Sequence, residues 1–315
     1  MKKFVYALVS SAGDYYTEQA VMSMYSLRLH NPSCHITLVA DEDTLESLTG
    51  KRSRIKEYAD ELVPVNPPSD FTPVQKSRFI KTTLRQNVRG DFMYLDNDTI
   101  VNASLEDLDA QEYEMGAVLD CHSTYEHNGQ LRKYLAGTGQ RAWDYNRYFN
   151  GGVWVARDTE RVCGFFRDWH RLWNEDREKY GISIDQPSFA RANIANGCFI
   201  SEISGVYNCQ ITIPGSRKYL LGARVLHYFA EVDFYYPLKD RGVFESVREN
   251  GICGEVKYMI ENPVLSWLEK VRIIGGEELR IYDSPMVVLG RKLSRDCVWT
   301  NKVAQLLYRL FGFTI

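Results

Sequence analysis

Asp96 and Asp98 are the residues of this sequence whose type and spacing most directly offer chemistry. They lie in FMYLDNDTIV, residues 92–101, where an apolar run suited to a strand buried on both faces stops abruptly in acids. Side chains two apart in a strand point the same way, so both carboxylates would face one side and Asn97 the other. Drawn to about 4 Å, the two charges would repel by roughly 4 kcal/mol at an effective dielectric of about 20. A hard cation such as Mn²⁺ or Mg²⁺ relieves that repulsion and keeps open positions for phosphate oxygens. An Asp-rich turn capping the next helix accounts for the same letters, so other segments must decide.

Further along are Asp120, at the end of the strand-like GAVLD, and Asn150-Gly151-Gly152, which reads as a tight turn or a ligand floor in front of the strand VWVA. Asp185-Gln186 opens a helix with Pro187 in its first turn, which suits an N-cap as well as a substrate contact. His227 sits between apolar residues, either packed in a core or offering the third ligand the acidic pair lacks. A helix predicted over 72–86 carries Lys76, Arg78, Lys81 and Arg85, a solvated face or a phosphate contact leading into the acidic strand.

The elements that would position these groups alternate strand and helix. Strand FVYALVS, a polar loop, a helix over 17–30, strand HITLVAD, a short helix and strand ELVPV give β-α-β-α-β. That order predicts a mostly parallel, Rossmann-like sheet flanked by helices, with ligands at the carboxyl ends of its strands, where Asp96 and Asp98 fall. Pro64 places the third strand at a sheet edge. Residues 121–148 have no clear period and read as an irregular substrate wall or a surface insertion. The aromatic helix beyond Thr159 reads as core packing. From 237 onward the pattern turns to helical and irregular pieces, which predicts a catalytic domain over 1–236 and a largely helical appendage over 237–315. Its last stripe, Val303, Leu306, Leu307, Leu310 and Phe311, suits packing onto the domain or lying at a membrane interface.

The 315 residues, 44% hydrophobic, suffice for one large α/β domain. A net charge of -3 with interspersed signs offers no basic field for nucleic acid. Seven scattered cysteines without a CxxC pair suit reduced thiols in a cytoplasmic setting. The opening MKKFVYALVSSAG imitates a secretory signal but reads better as a first strand, its apolar run being short for that role. No stretch approaches a membrane span.

Taken in order, the opening strand with SSAGDYYTEQAVMSMYSL, the basic helix, YLDNDTIV, FNGGV, and the DQ and HYF segments resemble the retaining nucleotide-sugar glycosyltransferases that include glycogenin and the bacterial lipopolysaccharide galactosyl- and glucosyltransferases. The likeness covers roughly residues 4–230. It implies a GT-A domain using Mn²⁺ or Mg²⁺ and a UDP-sugar donor, with Asp96, Asp98 and His227 as metal ligands. Tyr16 then matches the tyrosine stacked on uracil, with Ser11 and Ala12 in the loop beneath it, and Arg78, Asn97 and Gly151 join Asp96 around the donor. Asp120, Asn150, Asp185 and Gln186 match positions around the transferred sugar and the acceptor. The implied reaction moves a hexose to a glycan or lipid-linked sugar with retention, in bacterial surface polysaccharide synthesis; the alternative is a catalytically weak nucleotide-sugar-binding protein. The chain departs from the family at Ala230 and Asp233, where a glycine and a diphosphate-binding lysine are usual, and at Pro187, where an acid often stands.

Overall fold

The computed structural model describes residues 1–122, 129–139, 148–230 and 236–264. Along the chain run β1 (Lys3–Leu8), α1 (Tyr16–His30), β2 (His35–Asp41), α2 (Glu42–Ser47), β3 (Glu61–Val65), α3 (Pro73–Thr82), α4 (Leu84–Asn87), β4 (Phe92–Leu95) and β5 (Thr99–Val101). Then come β6 (Met115–Leu119), α5 (Gly129–Thr138), β7 (Phe149–Ala156), α6 (Glu160–Tyr180), α7 (Gln186–Ala195), β8 (Ser201–Glu202), β9 (Cys209–Gln210), β10 (Val225–His227), α8 (Arg241–Asn250) and α9 (Gly254–Glu261).

The main sheet has seven strands in the order β3-β2-β1-β4-β7-β6-β8. The first four are mutually parallel, β7 enters antiparallel between β4 and β6, and β8 is again parallel to β6. Helices cover both faces, which is why β4 and β7 are buried along their whole length. The expected mostly parallel α/β sheet is therefore present, with Pro64 on its edge strand β3. A second sheet, β5-β10-β9, lies beside the end of β4.

Local chemistry sets the helix boundaries. Thr72 and Gln75 form a reciprocal cap in front of α3, with Pro73 at its first position, where a missing N–H costs nothing. The single helix expected over 72–86 is two, because Thr83 leaves helical geometry at φ -103° and ψ 6° and the backbone bends before α4. Thr159 caps α6, and Gly181 ends it at φ +67°. Phe165, Phe166 and Trp169 of α6 pack with Phe189 of α7 and Trp154 of β7, the aromatic core expected of that helix. Replacing Trp154 by alanine would cost about 3–5 kcal/mol.

Two expectations are corrected. Asn150-Gly151-Gly152 is part of β7 rather than a turn before it, since β7 pairs antiparallel with both neighbours and needs no reversal there. The aperiodic stretch 121–148 contains α5. The first compact unit runs from Met1 to Glu269 and includes α8 and α9. Asp233 and the apolar stripe 303–311 lie outside the described residues. Among the described residues, no helix is long and apolar enough to cross a membrane.

Candidate active site

Strand pairing assembles the acids and the histidine. Asp96 follows β4, and its N–H donates to the Gly152 carbonyl of β7 at 2.8 Å. Asp98 leads into β5, whose Thr99 stands opposite His227 in the antiparallel register with β10. That register brings His227 Nε2 to 3.3 Å from Asp98 Oδ1, while Asp98 Oδ2 accepts from the Ala230 N–H at 3.0 Å. Burial pushes the Asp98 carboxyl up, but the charge and hydrogen bond of His227, with the Ala230 N–H, outweigh it and hold it at about 2. The turn that aims Ala230 passes through Phe229 at φ +46°, strained for a residue with a side chain.

Ligand atoms of Asp96, Asp98 and His227 lie within 4.8 Å of one another. Two carboxylates and an imidazole suit Mn²⁺ or Mg²⁺. The space is kept open by Gly152: a Cβ there would meet His227 Cε1 at 2.4 Å and Asp96 Oδ2 at 2.6 Å. These residues fit a divalent ion, with Gly152 as the cradle that a side chain would fill.

A second group lies beside the first. Lys81, 3% exposed, donates from Nζ to Asp96 Oδ1 at 3.1 Å and sits 3.5 Å from Asp185 Oδ2. Arg78 Nε lies 3.0 Å from Asp185 Oδ1. Burial raises the Asp185 carboxyl, yet Lys81 and Arg78 together hold it below the ordinary range. Asp185 precedes α7 but its side chain makes no capping bond and faces Arg78 and Lys81 instead. Its backbone is fixed instead, since its carbonyl accepts from Trp169 Nε1 at 3.0 Å and Ser188 Oγ at 2.7 Å. Gln186 Oε1 accepts from the Gly151 N–H at 3.0 Å, and Asn150 Nδ2 donates to Asp120 Oδ1 at 2.9 Å. Asp120, Asn150, Gly151, Asp185 and Gln186 are thus brought together, and Lys81 joins them to Asp96.

The loop after β1 is a separate construction. Asp14 accepts from the Ser11 N–H and both serine hydroxyls, which closes the loop on itself. Arg52 donates to the Ser11 carbonyl, and Arg248 of α8 donates to the carbonyls of Ala12 and Asp14 while pairing with buried Glu18 at 2.8 Å. Ser11 and Ala12 are exposed, as is Tyr16 at the start of α1. Asn97 Nδ2 donates to the Ala7 carbonyl at 3.0 Å and ties the acidic segment to the end of β1.

Sequence reasoning counted Lys81 only as part of a basic face, although its place three residues from Arg78 puts both on one side of α3. It missed Tyr94, whose hydroxyl donates to Asp96 Oδ1 at 2.5 Å, and Asn208, which contacts His227. A polar residue among the apolar neighbours of a buried strand was the available signal for Asn208.

The sheet order, with its antiparallel β7 and acids at the end of β4, defines the class as a GT-A α/β fold. In particular, the chain has the fold of the LgtC-like glycosyltransferases. It is similar to the galactosyltransferase LgtC in complex with donor and acceptor sugar analogues, at 16% identity and a TM-score of 0.51, over 82% of this chain and 99% of that one. It is also similar to mouse xyloside xylosyltransferase 1, at 12% identity and a TM-score of 0.50, over 74% and 99%. Glycosyltransferase GlyA of Streptococcus pneumoniae serotype 4 is 24% identical over 181 residues, 52% of this chain, which spans 24% of that relative's length. No protein-family model matches the chain. The resemblance read from the sequence is upheld, for these similar proteins are glycosyltransferases.

Proposed function

We propose that this chain is a retaining hexosyltransferase that moves a hexose from UDP-glucose or UDP-galactose to a glycan or lipid-linked sugar in bacterial surface polysaccharide synthesis. The observation that carries the reading is the convergence of Asp96, Asp98 and His227 beside Asp185, Gln186, Asp120 and Asn150, two groups linked by the Lys81 ammonium. Asp96, Asp98 and His227 would hold Mn²⁺ or Mg²⁺, which when bound offsets the charge that develops on a departing diphosphate.

The chain's own residues do the remainder. The loop of Ser11, Ala12 and Tyr16 receives the base, and Arg78 and Lys81 supply positive charge where phosphate and sugar meet. Both oxygens of Asp185 face these cations. That arrangement suits stabilising positive charge on the sugar ring better than attacking it. Gln186, an amide engaged by the Gly151 N–H, orients the sugar, and Asn150 fixes Asp120 toward the acceptor side. Attack by the acceptor hydroxyl from the leaving-group face accounts for retention without a covalent nucleophile.

Calorimetry with UDP in Mn²⁺ is expected to give saturable binding that the Asp98→Ala variant loses, and the same variant should lose hydrolysis of a UDP-sugar panel. Unchanged UDP affinity in that variant would count against the assignment. Binding without turnover of any donor would favour the nucleotide-sugar-binding alternative.

A further inference from the structure

Four polar side chains between the acids and the sugar side form one continuous hydrogen-bonded line, and its polarity can be deduced without seeing a hydrogen atom. It starts from groups whose roles are unambiguous. The Gly152 backbone N–H only donates, and it meets Asn150 Oδ1 at 2.9 Å; the Asp120 carboxylate accepts, and it meets Asn150 Nδ2 at 2.9 Å. The Asn150 amide is therefore oriented from both ends. Its oxygen also faces Asn208 at 2.9 Å, so Asn208 must present its NH₂ there and its own oxygen to His227 Nδ1, 3.1 Å away. An amide oxygen only accepts. A proton is consequently held on Nδ1, and Nε2 is the nitrogen left facing Asp96 and Asp98 to serve as a ligand.

We propose that Asn208 is a positioning residue that sets the His227 tautomer for metal ligation and couples the ion to the Asn150–Asp120 pair. The inference rests on the metal-dependent reading above and deepens it. Asn208 is wholly buried and Asn150 and His227 nearly so, which leaves water little room to substitute for a lost partner. The pairing of Cys209 and Gln210 of β9 with Leu226 and His227 of β10 holds Asn208, the residue just before β9, at this spot. Since Asn208 is the one link between histidine and amide in this line, flipping its amide would oppose two oxygens at Asn150 and two donors at His227.

The test measures Mn²⁺ affinity of the full chain by electron paramagnetic resonance. Asn208→Leu is expected to weaken Mn²⁺ binding by about 10–100-fold, the usual cost of removing the partner that orients a ligating histidine. Asn208→Asp keeps an acceptor for Nδ1–H but sets an oxygen against Asn150 Oδ1, so it is expected to bind Mn²⁺ more tightly than the leucine variant and less tightly than wild type, a partial rescue that a purely structural role would not produce. Long-range ¹H–¹⁵N spectra of the Mg²⁺-loaded wild type should place the His227 proton on Nδ1, and this measurement holds even if the leucine variant fails to fold. A proton on Nε2, or a folded leucine variant with unchanged affinity, overturns the proposal. Absence of Mn²⁺ binding by the wild type would overturn the functional reading and this inference with it, an outcome distinct from the other two.

Discussion

The loop after β1 and the cleft around Asp96 face the same end of the sheet but are built in opposite ways. Residues 10–16 are contiguous, largely exposed and folded around their own Asp14, with Arg52 and Arg248 gripping the backbone from outside. The cleft draws on Asp96 and Asp98, Asn150 to Gly152, Asp185 and Gln186, Asn208 and His227, and its polar groups are mostly buried. The loop can loosen by degrees, because water replaces each bond it loses. The cleft cannot, because its central groups Lys81, Asn150, Asn208 and His227 are almost wholly buried, which leaves water little room to replace a lost partner.

That contrast can be broken first at its tightest point. Gly152→Ala would force a methyl against His227 and Asp96, and Mn²⁺-dependent UDP binding should be lost together with about 1–3 kcal/mol of stability. Gly151→Ala, whose Cβ meets nothing closer than 3.7 Å, should keep the fold and the metal response. Equal behaviour of the two variants in calorimetry and melting would count against the bare backbone at Gly152 as what keeps the space between His227 and Asp96 open.

A pH series sharpens the same comparison. His122, whose Nε2 accepts from the Gln210 N–H at 3.0 Å, is lowered to about 4, chiefly because burial penalises its charged form. A group whose folded value lies below its unfolded value of about 6.5 contributes stability above that pH and loses it as pH falls toward 4, here about 3 kcal/mol. Urea unfolding should therefore show wild-type stability falling between these values and a flatter slope in His122→Gln; matching slopes would exclude His122 as the source. The exposed loop contains no histidine and should add nothing in that window.

The smallest effect is expected at Arg248. Arg248→Ala removes its bonds to Ala12, Asp14 and Glu18, and should weaken UDP binding by roughly tenfold, about 1.4 kcal/mol, while leaving Mn²⁺ affinity alone. A change in Mn²⁺ affinity would mean that the two regions are coupled after all.

The same division explains what could be read from the sequence. Asp96 and Asp98 were legible because a buried strand ending in acids is a local contradiction. The loop and α1 were legible because strand, polar loop and helix follow one another directly. For His227 the sequence leaves a packed core histidine and a third ligand open, and only the family resemblance chooses between them, since its approach to Asp98 depends on the β5–β10 register, which no local pattern states. Asn150-Gly151-Gly152 reads as a turn or a ligand floor outside the strand because glycine and asparagine are poor strand formers, and their place inside β7 goes with a bare backbone beside His227 and Asp96. Asn208 could be recognised only as a misfit.

The two flanks of the main sheet carry one more consequence. On one side β3 has Pro64, which offers no N–H to an incoming strand, and on the other β8 is two residues long. Neither border gives a second copy of the chain a useful template for strand addition, so the sheet is protected from growing edge to edge between molecules when the protein is concentrated.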